Sequence, residues 1–226
     1  MEKANAASLV EAAYLNIRED IAMGRLAQGA RIKIRELVDR YQFSETPIKQ
    51  ALNRLVAEGL VESIPNRGMK VRTFTRSQIE DILEVRLMLE TFCVPHAIAA
   101  LAGDPSLADQ LRENIDKHFS YAENVSDMTQ YYTAYKLDQE FHESYLRLSG
   151  NPKMVEIHQG LHSHAYATYL YGKQSRERTL EGVREHQRIL EALLAGDEAL
   201  AIERIRIHNQ NCKDIIDLIL KLSKTT

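Results

Sequence analysis

Four side chains in the second half of the sequence have the types and the spacing that a metal ion requires. Asp138 and His142 are four residues apart in YKLDQEFHESYL, so on a helix both lie on one face and can reach a single ion. By itself this spacing is also typical of a surface hydrogen bond. His186 and His208 lie beside aliphatic residues of two other predicted helices. Three imidazoles and one carboxylate suit a divalent transition metal, zinc first, with nickel, iron or manganese as alternatives.

The same pattern also allows an interpretation without an ion. In that interpretation the histidines are polar groups of a core or pocket, and neighbouring side chains satisfy their hydrogen bonds. His118, His158 and His162 have the pattern of exposed histidines, and no role is predicted for them. The two cysteines lie far apart without Cys-x-x-Cys spacing, so neither a disulfide framework nor a thiolate zinc site is expected.

A permanent cation, Arg86, lies among apolar residues in the segment ILEVRLML. Arginine is rarely buried unless it meets an anion or a carboxylate partner. Two interpretations follow. Arg86 either receives a small organic acid in a pocket or forms a structural salt bridge with an acid of its own domain.

The chain of 226 residues is long enough for two modest domains, and its charge is unevenly distributed. Residues 1–75 hold 12 basic and 9 acidic residues, whereas the remainder holds 17 basic and 23 acidic ones, for a total of −3. A mildly basic N-terminal part followed by an acidic remainder is typical of a two-domain DNA-binding protein. The N-terminus lacks the long apolar run of a signal peptide or membrane span, so we expect a cytoplasmic protein without membrane contact.

The first 75 residues predict three helices and a hairpin. Apolar spacing places one helix from Leu9 to Gly24, a second that starts at Ile32 and ends near Tyr41, and a third that is capped by Ser44 and runs to Gly59. Leu60–Ile64 and Met69–Phe74 are β-prone segments around the turn Pro65-Asn66-Arg67-Gly68, where a glycine with positive φ is expected. This order predicts a winged helix-turn-helix.

After Thr75 the pattern is helical, with breaks at Gly103-Asp104-Pro105, Gly150-Asn151-Pro152, Tyr171-Gly172 and Gly196-Asp197. About six helices with short connections predict a bundle, which builds ligand and metal sites from side chains on facing helices. The predicted fold is therefore mainly α. It comprises a winged helix-turn-helix domain over residues 8–75 and an all-helical domain over residues 76–223.

Several motifs together resemble one family. Its pattern is matched in order in both predicted domains. The N-terminal domain contains RELVDRYQFSETPIKQALNRLVAEGL and VESIPNRGMKV, and the C-terminal domain contains EVRLMLE, DQEFH, GNP, REHQRILEALLAGD and IHNQN. The chain resembles the GntR family of bacterial transcriptional regulators, in its FadR-like branch with an FCD ligand-binding domain. The resemblance implies a homodimer that binds double-stranded operator DNA, usually as a repressor released by an effector.

The resemblance also implies site residues. Asp138, His142, His186 and His208 coincide with the metal ligands of metal-containing FCD domains, and by the same resemblance Arg86 would receive a small organic acid. Tyr135 and Asn209, near the ligand positions, and His164 are predicted as further pocket residues from their place in the sequence. DNA contacts are expected from the exposed face of the third helix and from its surroundings, namely Arg35, Ser44, Glu45, Thr46, Lys49, Gln50, Asn53, Arg54, Arg67 and Gly68. The family usually has Arg at the position of Glu45 and often Arg-Glu at Lys49-Gln50, so operator sequence should differ.

Two other functions use the same residues. A metal-dependent enzyme could activate water at such a site, but no nucleophile elbow, phosphate-binding loop or catalytic carboxylate pair accompanies it. An enzyme would also leave the winged motif unexplained, so no enzymatic activity is predicted. A sensor of the metal itself stays open.

Overall fold

The computed structural model describes residues 2–162, 168 and 174–222. These residues form two compact units, one containing residues 2–74 and the other residues 75–162 and 174–222. Each unit has its own set of buried apolar residues.

The first unit contains three helices and a small sheet, which confirms the predicted winged helix-turn-helix. Its elements are α1 (Glu2–Ala22), β1 (Arg31–Ile32), α2 (Ile34–Tyr41), α3 (Glu45–Ala57), β2 (Val61–Ile64) and β3 (Gly68–Val71). The strands are antiparallel in the order β1-β3-β2.

The prediction that Ile32 starts the second helix is wrong. Ile32 pairs with Met69 in the sheet and is 7% exposed, so it belongs to a short third strand along the wing. The turn before Gly68 follows the prediction: φ is +60° at Asn66 and +83° at Gly68, and the Arg67 amide donates to the Ile64 carbonyl over 2.9 Å.

Contacts between α1 and α3 hold the first unit together. Ile17 and Leu52 are fully buried between these helices, as their apolar spacing predicts. A polar network joins the same helices: the Tyr14 hydroxyl donates to Glu58 over 2.7 Å, and the buried Arg18 donates to the same carboxylate over 3.1 Å. The position of α3 on α1 is therefore fixed by both packing and charge.

The described part of the second unit contains six helices. They are α4 (Arg76–Gly103), α5 (Ser106–Glu123), α6 (Met128–Arg147), α7 (Pro152–Gly160), α8 (Arg176–Leu194) and α9 (Glu198–Leu222). Polar residues begin several of them: Thr75 forms a capping box with Gln78, and the side chains of Asp127 and Ser175 accept backbone amides of α6 and α8. Three predicted breaks coincide with helix ends, and the fourth, Tyr171-Gly172, lies outside the described residues.

One described helix, α4, contains a window long and apolar enough to cross a membrane by composition. That helix also carries the buried charged residues Arg86 and Glu90, and its apolar residues Cys93, Val94 and Ala97 are fully buried in the core of the helical unit. Its composition is therefore that of a central core helix.

Candidate functional site

The exposed face of α3 and the wing form a concave, partly basic surface. The exposed residues at the N-cap and along α3 are Ser44, Glu45, Thr46, Lys49, Gln50 and Asn53. Outside α3, Arg35, Arg67 and Gly68 are also exposed. A surface cavity of about 600 Å³ is lined by residues from α2, the start of α3 and the wing, Arg35, Lys49 and Gly68 among them. Nine of the ten predicted DNA-contact residues are thus exposed, and four of them, Arg35, Glu45, Lys49 and Gly68, line this one cavity.

Two residues of that predicted set behave differently from expectation. Ser44 occupies the N-cap position of α3, but its side chain makes no capping hydrogen bond. Arg54 lies off the exposed face, with its guanidinium 3.6 Å from the ring centroid of Tyr14 and paired with Glu11 and Glu58. Arg54 therefore connects α3 to α1, a structural role that the spacing on α3 alone does not reveal.

An acid and a base are paired on the exposed face of α3. The Lys49 ammonium donates to Glu45 over 2.6 Å, and both side chains are about half exposed. The hydrogen bond and the charge of Lys49 lower the pKa of Glu45. An exposed pair of this kind contributes little to stability, so DNA phosphates can compete for the lysine.

Three imidazoles converge inside the second unit. His142 on α6, His186 on α8 and His208 on α9 each offer a ring nitrogen, and these three nitrogens lie within 4.8 Å of one another. All three side chains are at most 3% exposed. The His186 ring stacks on Phe141 with centroids 4.2 Å apart, which fixes its plane. We call these three residues the histidine cluster.

Asp138 lies close to His186, in a second group of potential ligands. Its Oδ1 is 3.5 Å from His186 Nε2, and Asp138, His186 and His118 form a second group of potential ligands within 4.8 Å. The four predicted ligands thus form two overlapping groups that share His186. The Asp138 side chain is 23% exposed, whereas that of His186 is fully buried.

Two buried carboxylates orient the cluster, and the sequence analysis missed both. Glu90 lies 2.9 Å from His142 Nδ1, and Glu185 lies 2.7 Å from His208 Nδ1. Each acid therefore fixes one nitrogen of its ring and leaves Nε2 directed at the cluster, the arrangement found behind metal-bound histidines. The signal for Glu185 was its position directly before His186, and the signal for Glu90 was its helical spacing from Arg86.

Charge partners keep both acids ionised. Burial alone would raise the pKa of Glu185, but hydrogen bonds from His208 and Arg178 outweigh it and lower that pKa to about 2. Burial opposes ionisation of Glu90 as well, yet the charge of Arg86 and the hydrogen bonds from His142 and Arg86 hold its pKa well below the usual range. The two carboxylates therefore supply fixed negative charge behind the imidazoles.

Arg86 has the carboxylate partner within its own domain that its sequence position suggested, and it also contacts two histidines. Its Nε donates to Glu90 over 2.7 Å, the structural salt bridge. Its Nη2 contacts Nε2 of His142 and lies 3.2 Å from Nε2 of His208. The guanidinium is 5% exposed and sits directly against the histidine cluster.

The prediction that His118 and His158 are exposed is wrong. They are 5% and 3% exposed, whereas His162 is half-buried. Within the described residues neither ring nitrogen of His158 has a hydrogen-bond partner, and the same holds for His118 Nδ1. Apolar spacing was the missed signal, since His118 continues the buried row of Leu111 and Ile115 on α5.

Burial keeps these imidazoles neutral. It lowers the pKa of His186 well below the usual value, an effect that the charges of neighbouring histidines reinforce, and it lowers the pKa of His158 to about 4. The pKa values of His118 and His142 are lowered for the same first reason. A neutral imidazole has the free lone pair that a metal ion requires.

Comparisons with known proteins agree with this arrangement. The model of the bacterial regulatory proteins of the gntR family matches residues 9–71, and the FCD domain model matches residues 81–211, more than half of the chain. This chain belongs to the GntR family of regulators with an FCD domain. Relatives of this chain are named as transcriptional regulators and not as enzymes.

Three similar proteins illustrate the match. The regulator BphR of Paraburkholderia xenovorans is 25% identical, covering 94% of this chain and 87% of its own. The HTH-type transcriptional repressor GlaR of Escherichia coli is 26% identical, covering 86% and 90%. The solved structure of E. coli McbR/YncC has a TM-score of 0.65 and 24% identity, covering 93% and 97%, a likeness that concerns the fold.

The predicted effector residues of this FCD regulator have different surroundings. Tyr135 is half-buried on α6, three residues before Asp138. Asn209 is 3% exposed, and its amide donates to the Leu83 carbonyl over 2.8 Å, so it connects α9 to α4. His164 lies outside the described residues. Arg86, another predicted effector residue, contacts the histidine cluster.

The buried histidines make the stability of the metal-free FCD regulator depend on pH. Because the pKa of His158 is about 4 in the folded state and about 6.5 in the unfolded state, its stabilising contribution is complete above pH 6.5 and is lost as the pH falls toward 4. When the pH falls from 7.5 to 5.5, this single group lowers the free energy of unfolding by about 1 kcal/mol. His158→Phe should therefore lose about 1 kcal/mol less than the wild type over that interval.

Urea unfolding of the chelator-treated proteins, followed by circular dichroism at both pH values, measures this difference. His96→Phe is the matched control, because His96 is an exposed histidine on α4. The same pH dependence in His158→Phe and in the wild type would show that His158 does not stay neutral in the folded protein.

Proposed function

We propose that this protein is a ligand-responsive repressor that binds operator DNA as a homodimer in the bacterial cytoplasm. Residues 8–75 would bind the DNA, and residues 76–223 would bind a small carboxylate beside a divalent transition metal. The observation that carries the proposal is the combination within one chain of an exposed helix-turn-helix face and a buried histidine cluster. One unit can report to DNA what the other unit has bound.

The donor set supports the metal. FCD domains bind metal in some members, and the histidine cluster supplies three imidazole nitrogens of the kind that zinc, nickel or iron prefers. Neither nitrogen of the buried His186 has a hydrogen-bond partner among the residues that the structure describes. An unsatisfied buried polar group is costly, and a bound ion would remove that cost. His142, His186 and His208 would hold the ion, with Asp138 as the fourth ligand after a side-chain rotation.

The effector class follows from charge. When bound, the metal would supply an open coordination position for an oxygen atom of the effector. The Arg86 guanidinium beside it presents a planar fork of donors that matches a carboxylate. We propose a small organic acid, with Tyr135, His164 and Asn209 as further pocket residues. The similarity to GlaR, which is named a repressor, supports repression.

An exposed apolar row on α4 supports the dimer. Met88, Phe92, Pro95 and Ala99 are exposed at intervals of four, three and four residues, the spacing with which helices pair. Met88 and Phe92 are 61% and 63% exposed. A second copy of the same row would cover these side chains around a twofold axis, and a dimer can read two half-sites of an operator.

One experiment tests the proposal. Duplexes bound by the full chain are selected from a random-sequence pool, and their affinity and stoichiometry are measured by fluorescence anisotropy and light scattering. We expect paired half-sites bound by two chains. Phe92→Glu should be monomeric and bind the selected duplex about 100-fold more weakly, because two DNA-binding domains are no longer linked in one dimer.

The matched control is Tyr121→Glu, which places the same charge on another exposed aromatic residue, 44% exposed on α5. It should keep the dimer and the affinity. A wild-type chain that binds single half-sites as a monomer would contradict the proposed dimer, and a chain that selects no duplex would contradict the proposed function.

A further inference from the structure

We propose that Arg86 and a divalent metal ion bind the same imidazole nitrogens in turn, so that metal binding releases the Arg86 guanidinium to receive an anion. This inference rests on the proposed metal site and describes its regulation. In the arrangement seen here Arg86 occupies Nε2 of His142 and Nε2 of His208. The guanidinium thus covers two of the three nitrogens of the histidine cluster.

The two occupants exclude each other because each ring has a single nitrogen available. Glu90 accepts from Nδ1 of His142, and Glu185 accepts from Nδ1 of His208. A ring whose Nδ1 donates its proton to a carboxylate has its lone pair on Nε2. That lone pair can accept a hydrogen bond from Arg86 or bind a metal ion, but not both.

Electrostatic repulsion strengthens this exclusion. A guanidinium is charged at every accessible pH, so a metal dication arriving beside it meets a like charge in a buried site. Arg86 can nevertheless move without leaving the buried Glu90 carboxylate unpaired. Glu90, one turn along α4, accepts a hydrogen bond from Nε of Arg86 and can remain its charge partner when the guanidinium turns away from the rings.

A released guanidinium needs a new partner for its Nη donors. Among the acids of the described residues near the cluster, Glu90 and Glu185 already accept two or more hydrogen bonds each, and Asp138 would be a ligand of the metal in the proposed site. A small carboxylate would satisfy the released donors bidentately and so stabilise the metal-bound state. Metal and carboxylate must then raise each other's affinity by the same factor, which makes Arg86 the coupling element.

The test measures Zn²⁺ affinity in the chelator-treated full chain by competition with a chromophoric chelator. Arg86→Met and Arg86→Lys are compared with the wild type, in the absence of any organic acid. Both variants should bind Zn²⁺ at least about tenfold more tightly, because neither side chain has the guanidinium fork that covers both rings. Arg112→Met, which removes an exposed arginine from α5, is the control and should match the wild type.

The outcomes separate the inference from the function on which it rests. Equal Zn²⁺ affinity in all four proteins would overturn the exclusion while leaving the metal site intact, and no Zn²⁺ binding by the wild type would overturn both. A gain in Arg86→Met alone would show long-range repulsion without direct competition and would also overturn it. A second readout, the nitrogen-15 spectrum of the arginine side chains in the wild type, should show one guanidinium changing its environment on Zn²⁺ addition. An unchanged spectrum at saturation contradicts the inference even if the variants fail to fold.

Discussion

Purification of this protein without chelators should yield close to one equivalent of divalent transition metal per chain, and His186→Ala with His208→Ala should remove it. The double variant deletes two of the three nitrogens of the histidine cluster, including the ring that is stacked on Phe141. Since removal of an outer partner of a ligand already lowers metal affinity about 10-fold to 100-fold, loss of two direct ligands should exceed that range. Elemental mass spectrometry measures the metal content directly.

Two companion variants make that result specific. His96→Ala removes an exposed histidine of α4 and should retain the metal. Glu185→Gln keeps the shape of the carboxylate but removes its charge from behind His208, so affinity should fall about 10-fold to 100-fold without being abolished. If the wild type and the double variant both lack metal, the histidines are polar residues of an effector pocket, which is the alternative that their sequence pattern allows.

The local elements could be predicted because their causes are local. Apolar spacing fixes which face of α1 or α3 is buried, and the turn before Gly68 requires the positive φ that its composition favours. Ile32 was assigned incorrectly because its partner, Met69, is 37 positions away, and strand pairing over that distance leaves no mark on the spacing around Ile32.

The site was predictable in part for the same reason. The burial of His186 and His208 could be anticipated from their place beside aliphatic residues, and their convergence with His142 from the family resemblance. The contact that Arg86 makes with the cluster depends instead on packing between helices. Arg86 contacts His208 across 122 residues. Helical spacing identifies the face on which a residue lies, and it carries no information about which side chain from another helix will occupy the same space.

Replacement of Lys49 and Arg67 by Ala should lower affinity for the selected duplex about 100-fold, while leaving the fold and the metal content unchanged. Lys49 lies on the exposed face of α3 and Arg67 at the tip of the wing, so the two cations approach DNA from different elements. A lost base contact costs about 1–3 kcal/mol of binding free energy. Each lost phosphate contact makes the slope of log affinity against log salt concentration about 0.9 less steep.

Fluorescence anisotropy at several salt concentrations separates these contributions. Lys117→Ala, which removes an exposed lysine from α5 in the helical unit, is the control and should bind DNA like the wild type. Arg54→Ala provides a second comparison, because Arg54 stacks on Tyr14 and pairs with Glu11 and Glu58. Its loss should lower the unfolding temperature of the first unit, whereas the Lys49 and Arg67 variant should not. Unchanged affinity and salt slope in that double variant would show that DNA binds to another surface of the protein.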